Sequence, residues 1–212
     1  MSASVHPRPA VLDRFAGAGG LGLGLTRAGF RVQAANEYES VFAATYALNH
    51  PETAVVAGDV LDPAIRAELL AAAQGVAVVA GGPPCQPFSI GGKHRGMSDT
   101  RDMIPEFVRA IRELTPRASI LETVRGLLRQ SFRTYFAYVL FQLRYPAITR
   151  RIDEPWHDHL KRLEDAETSG ACSDLHYNVV FRLLNAAGEG AKRGETIERM
   201  QRIQNPLPRL YA

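Results

Sequence analysis

Along the first 122 residues, short apolar runs alternate with stretches whose apolar positions recur at helical spacing. Strands are expected at 10–15, 30–35, 54–57, 76–80 and 118–121, and helices near 21–28, 40–49, 63–73 and 100–114. Alternating strands and helices make βα units, which build a parallel sheet covered on both faces. Such a doubly wound sheet binds ligands outside the carboxyl ends of its strands. Past Thr123 the pattern changes. Phe132, Phe136, Val139 and Leu143 form one helical stripe and Tyr135, Tyr138, Phe141 and Tyr145 a second, so a helix apolar on two faces is expected between two partners. Residues 150–170 are polar and expected to be exposed. Leu175, Tyr177, Val179, Phe181 and Leu183 then alternate with mostly polar neighbours, as a further strand would.

Composition narrows the class. The chain has 212 residues, 46% hydrophobic and 22% charged, which suits one globular domain rather than a disordered or membrane-spanning chain. The first ten residues hold two prolines and an arginine but no apolar signal core, so a cytoplasmic location is expected. Two cysteines cannot supply a disulfide framework or a four-cysteine zinc site, and no metal is expected. The net charge of +3 hides an asymmetry: residues 1–90 carry 5 Lys/Arg against 7 Asp/Glu, whereas 91–212 carry 20 against 15. Of the 25 basic residues, 22 are arginine, whose planar fork suits phosphate and base edges. From charge alone, a surface facing nucleic acid and an ordinary solvated one are equally consistent.

Candidate chemistry gathers at the expected strand ends. Gly17-Ala18-Gly19-Gly20-Leu21-Gly22 satisfies G-x-G-x-x-G at a strand-to-helix turn, where glycine lets a ligand approach the backbone at a helix N-terminus. Glu37 follows Gly17 by twenty residues, at the end of the second strand, where a carboxylate takes ribose hydroxyls. Asp59 follows the third strand and could accept from an adenine amino group. Taken singly, each acid is better read as a surface or capping residue; together they favour an adenosine-containing cofactor. The fourth strand leads into Gly81-Gly82-Pro83-Pro84-Cys85-Gln86-Pro87-Phe88-Ser89, a stiff loop around a thiol placed as a nucleophile would be. Cys172 is read as a small hydrophobe.

Those segments, with Asn36-Glu37, Gly58-Asp59-Val60 and Leu121-Glu122-Thr123-Val124, stand in the order and spacing of the DNA cytosine-5 methyltransferase family, which the chain resembles over roughly residues 10–187. The resemblance implies a Rossmann-like class I fold, S-adenosylmethionine as methyl donor and cytosine in double-stranded DNA as acceptor, in a restriction-modification setting. It implies that Cys85 adds to carbon 6 of a flipped cytosine, making carbon 5 nucleophilic. Glu122 would protonate ring nitrogen 3, a role that calls for partial burial at the strand end. Cofactor contacts are implied for Phe15, Gly17, Gly19, Gly22, Glu37, Asp59, Pro84 and Ile104. Gln86, Ser89, Lys93, Arg95 and Arg101 fall on what resembles a mobile catalytic loop meeting DNA.

The chain also departs from the family. Thr123 stands where asparagine is usual, and no Gln-x-Arg-x-Arg motif follows Asn185-Ala186-Ala187. The expectation is a partial catalytic domain over 1–187 and a divergent tail over 188–212. Its sheet would lack the last strand, and the target recognition domain and C-terminal helix would be missing. Residues past about Ser173 are then expected to be poorly ordered, because a strand at 177–184 has no neighbour. A second polypeptide supplying the recognition domain is one expectation. An inactive truncated product, a tRNA-directed relative and, least favoured, a nicotinamide enzyme are the others.

Overall fold

The computed structural model describes residues 7–84, 102–170 and 174–184. β1 (Ala10–Arg14), α1 (Gly20–Arg27), β2 (Arg31–Glu37), α2 (Ser40–Asn49), β3 (Ala54–Ala57), α3 (Pro63–Ala72), β4 (Val78–Gly81), α4 (Ile104–Leu114) and β5 (Ala118–Leu121) follow one another in strict alternation. Two short 3-10 turns, Arg125–Leu128 and Gln130–Phe132, lead to α5 (Arg133–Arg144) and α6 (Trp156–Ser169). All strand pairs are parallel, in the order β3-β2-β1-β4-β5. The winding reverses between β1 and β4, which opens a crevice at their carboxyl ends. Among the described residues, β5 is an edge of the sheet.

Period-two alternation builds the two faces. Leu12 and Val79 enter the larger core with Phe107 and Ile111 of α4, while Val11 and Val78 enter a smaller one with Leu25 of α1 and Phe30. Each fully buried aliphatic or aromatic side chain here contributes about 1.5–3 kcal/mol of transfer free energy. A register shift between Val11 and Leu12 leaves Gln33 of β2 unmatched, and its amide donates to Ala72 and Gln74 carbonyls, tying the sheet to the end of α3.

Three expectations are corrected. α4 begins at Ile104, not near residue 100: Asp102 accepts from the Ile104 amide at 3.1 Å, and Pro105 is tolerated only in the first turn. Residues 156–169 are helical and partly buried, not an exposed polar stretch. Leu160, Leu163 and His159 are buried, and α5 is sandwiched between α4 and α6, as its two apolar stripes require. Residues 174–184 form no sheet ladder, yet have defined places: Tyr177 is buried, its amide donates to the Arg144 carbonyl at 2.9 Å, and its hydroxyl donates to the Pro116 carbonyl at 2.6 Å. Phe181 stands edge-on to Phe136 at 5.1 Å. Alternation here reflects one buried anchor and flanking half-buried side chains rather than pairing.

Candidate active site at the strand ends

β1 delivers a bend that few residues tolerate. Phe15 has φ +54°, Gly17 +54° and Gly19 +99°, so the chain turns sharply before α1. The Gly17 amide donates to Glu37 Oε2 at 2.8 Å and the Glu39 amide to Oε1 at 3.0 Å, holding the carboxylate at the end of β2. Asn36, almost wholly buried, donates to the carbonyls of Val56 and Gly58 and fixes the end of β3 beside it. Asp59 is half-buried, and its Oδ1 accepts from the Leu61 amide at 2.9 Å in a local turn. Glycine turn, Glu37 and Asp59 thus share one end of adjacent strands.

On the other side of β1, a Cβ at Gly81 would lie 2.4 Å from the Arg14 carbonyl, so only glycine lets β4 finish this close to β1. A Cβ at Gly82 would lie 3.0 Å from Glu122 Oε2. The Glu122 carboxylate is therefore laid across the chain three residues before Cys85, and the Glu122 amide donates to Gly81 at 2.9 Å. Pro84 is exposed at the same edge. Glu122 is exposed, not partly buried, because β5 is the sheet edge and no further strand covers it among the described residues.

The other expected site residues are placed differently. Ile104 is fully buried in the larger core. Phe15 is half-buried, with the Arg14 guanidinium 5.1 Å over its ring. Cys85, Gln86, Ser89, Lys93, Arg95 and Arg101 lie outside the described residues, as do Cys172 and 188–212. Among the described residues no cluster of His, Cys, Asp or Glu is arranged to hold a metal, and no helix is long and apolar enough to cross a membrane.

Two charged residues inside β1 belong to no motif and were missed from sequence. Asp13 is fully buried; burial, aided by the charge of Glu37, pushes its carboxyl up to about 7 against the opposing hydrogen bonds from Tyr46 and the Gly22 amide. Burial, with the neighbouring Arg109 charge, lowers the Arg14 guanidinium to about 10, still cationic at neutral pH, and it donates to the Glu106 carbonyl at 2.6 Å. The signal was an Asp-Arg pair embedded in an apolar strand.

A reversing parallel sheet with a glycine turn after β1 and acids after β2 and β3 defines a Rossmann-like α/β fold of the kind that binds nucleotide cofactors. The C-5 cytosine-specific DNA methylase family model matches residues 10–145, more than half of the chain, and the chain belongs to that family. It is 43% identical over 131 residues to the type II methyltransferase M.NgoMIV of Neisseria gonorrhoeae, covering 62% of this chain and 40% of that one. It is 42% identical over 133 residues to M.NaeI of Lentzea aerocolonigenes, covering 63% and 32%. M.AquIA of Picosynechococcus is 38% identical over 125 residues, covering 57% and 50%. A solved structure described as a DNA modification methyltransferase encoded within an Escherichia coli prophage superposes with a TM-score of 0.51 at 30% identity, over 62% of this chain and 36% of that one. The matched region spans about a third to a half of each curated relative's length.

Proposed function

We propose that this chain carries the catalytic half of a DNA cytosine-5 methyltransferase of restriction-modification type, using S-adenosylmethionine. The observation that carries the reading is the gathering of the glycine turn, Glu37, Asp59, Pro84 and Glu122 at the carboxyl ends of five adjacent strands. The residues fit the cofactor. A Cβ at Gly17 or Gly20 would meet nothing within 4 Å, so the turn has open space beside its backbone. The two amides on Glu37 occupy two of its roughly four acceptor positions, leaving the others for ribose hydroxyls. Asp59 stands one strand further out for the adenine edge, Phe15 and Pro84 follow the neighbouring strands β1 and β4, and Gly19 and Gly22 shape the turn. When bound, S-adenosylmethionine supplies an electrophilic methyl group on sulfur.

The protein's part is to make carbon 5 of cytosine nucleophilic. The Cys85 thiolate adds to carbon 6 while Glu122 gives a proton to nitrogen 3, so that the ring gains a bond without accumulating negative charge. After methylation, loss of the carbon 5 proton to a base expels Cys85. The target must leave the stack, and Gln86, Ser89, Lys93, Arg95 and Arg101 are the loop residues set to hold the displaced base and its phosphates.

The full chain with S-adenosylmethionine and duplex DNA containing 5-fluorocytosine should form a covalent adduct that mass spectrometry maps to Cys85. Glu122→Gln should slow trapping by about 10²–10⁴-fold. Adduct formation by Cys85→Ser as fast as by wild type would overturn the assigned nucleophile, and a preference for NAD over S-adenosylmethionine would overturn the class. A second reading, a cofactor-binding subunit completed by another polypeptide, is favoured by β5 being an edge of the sheet among the described residues. Trapping that appears only on adding a C-terminal half from a relative would select it.

A further inference from the structure

The glycine turn is gripped from behind by the last turn of α2. Tyr46 is fully buried, and its hydroxyl donates to Asp13 Oδ2 at 3.0 Å. The same carboxyl also accepts from the Gly22 amide. The Tyr46 ring lies 4.5 Å from the ring of His50, one helical turn on. His50 Nε2 is 3.1 Å from the Gly19 carbonyl. A carbonyl only accepts, so Nε2 carries the hydrogen. Asn49 reaches the Ala18 carbonyl at 3.4 Å, while Glu37 holds the Gly17 amide from the opposite side.

The four glycines of the turn therefore divide by purpose. A Cβ at Gly19 would lie 2.5 Å from His50 Nε2, and one at Gly22 would lie 2.3 Å from the Tyr46 hydroxyl. Those two are glycine because α2 occupies the space a side chain would need. At Gly17 and Gly20 a Cβ meets nothing within 4 Å, which marks the face left open for a ligand. Glycine is the softest backbone available, and a turn built from it gains affinity when something else fixes its shape before the ligand arrives.

We propose that Tyr46 and His50 are positioning residues: through Asp13 and the Gly19 carbonyl they hold residues 17–22 in the ligand-ready shape and so set the affinity for S-adenosylmethionine. The cofactor's identity rests on the function proposed above; the grip on the turn does not.

Tyr46→Phe keeps the ring and removes the bond to Asp13, and His50→Phe keeps the ring contact and removes the donor to Gly19. Tyr138→Phe, which removes a buried hydroxyl bond between α5 and α6, serves as the control. In the ligand-free chain, amide exchange at Gly19 to Gly22 should quicken about tenfold in Tyr46→Phe and not in Tyr138→Phe. Calorimetric affinity for S-adenosylmethionine should fall about tenfold in Tyr46→Phe and His50→Phe, again unlike the control. Unchanged exchange and unchanged affinity in both α2 variants, or equal losses in the control, would overturn the positioning role. Faster exchange in Tyr46→Phe together with a wild-type chain that binds no S-adenosylmethionine would leave the grip standing and sink the cofactor reading instead.

Discussion

At the scale of single residues, Asp13 is, among the described residues, the carboxyl whose chemistry departs furthest from the ordinary. With its pKa raised from 3.8 to about 7, it binds its proton more tightly in the folded than in the unfolded chain. Its contribution to stability is therefore complete below about pH 4 and is lost as pH climbs through 7. The gap between the folded and unfolded values corresponds to roughly 4 kcal/mol between those limits. Asp13→Asn removes the titration, so the urea midpoint of wild type should fall between pH 5 and 8.5 by clearly more than that of the variant. Parallel midpoints in the two proteins would dismiss the buried proton. Neither Asp13 nor its partner Tyr46 was visible as a pair in the sequence, because 33 positions separate them and only packing brings them together. Glu37 was visible, because its distance from the glycine turn is fixed by the length of one βα unit.

At the scale of elements, α6 lies outside the matched family region and depends on a polar lock to α5. His159 Nε2 donates to the Ile148 carbonyl at 2.8 Å, which leaves Nδ1 to accept from the Tyr138 hydroxyl at 2.8 Å. Burial lowers the His159 pKa, so its stabilising share is present above the ordinary histidine value of 6.5 and is lost as pH falls through the depressed one. Protonation would cost Nδ1 its acceptor role and so weaken the hold of α5 on α6. Trp156, the sole tryptophan, packs on Tyr135 and Tyr138 at this junction. Acidification should change its fluorescence before far-ultraviolet dichroism reports loss of the sheet. His157 lies against the same indole, so the titration belongs in a His157→Gln background. Coincident fluorescence and dichroism transitions would argue against independent release of α6. The sequence hid this helix because Trp156, Leu160 and Leu163 are its few apolar anchoring positions, set among charges, with a histidine completing the face. By contrast α2, β3 and β5 matched their expected bounds, since their flanking turns carry clear signals.

At the scale of the molecule, β5 is an open edge of the sheet among the described residues, and apolar side chains stand exposed in the segment packed along α5. Phe181 is 57% exposed, Leu183 60% and Leu184 44%. An open strand edge and apolar surface both favour association. The purified chain should therefore self-associate with rising concentration in light scattering, and Leu183→Lys with Leu184→Lys should shift it toward monomer without altering affinity for S-adenosylmethionine. A wild-type chain that stays monomeric across the same range would refute this. From the sequence the alternation at 175–183 read as a strand without a neighbour, whereas among the described residues these positions form neither strand nor ladder. That Tyr177 would anchor the segment anyway was not legible there, because the anchor is made by two backbone carbonyls, of Pro116 and Arg144.

Tyr177 also gives the chain a direction of travel. Its hydroxyl is fastened to Pro116, just before β5 starts, and Phe181 meets Phe136, in the first turn of α5. From Tyr177 onward the backbone thus climbs alongside α5, from the amino toward the carboxyl ends of the strands. Polypeptide fused after residue 184 would be launched on the same side of the molecule as Glu122. A module fused there would start from the end of the sheet at which Glu37, Asp59 and Glu122 gather, whereas one fused before β1 would start from the opposite end.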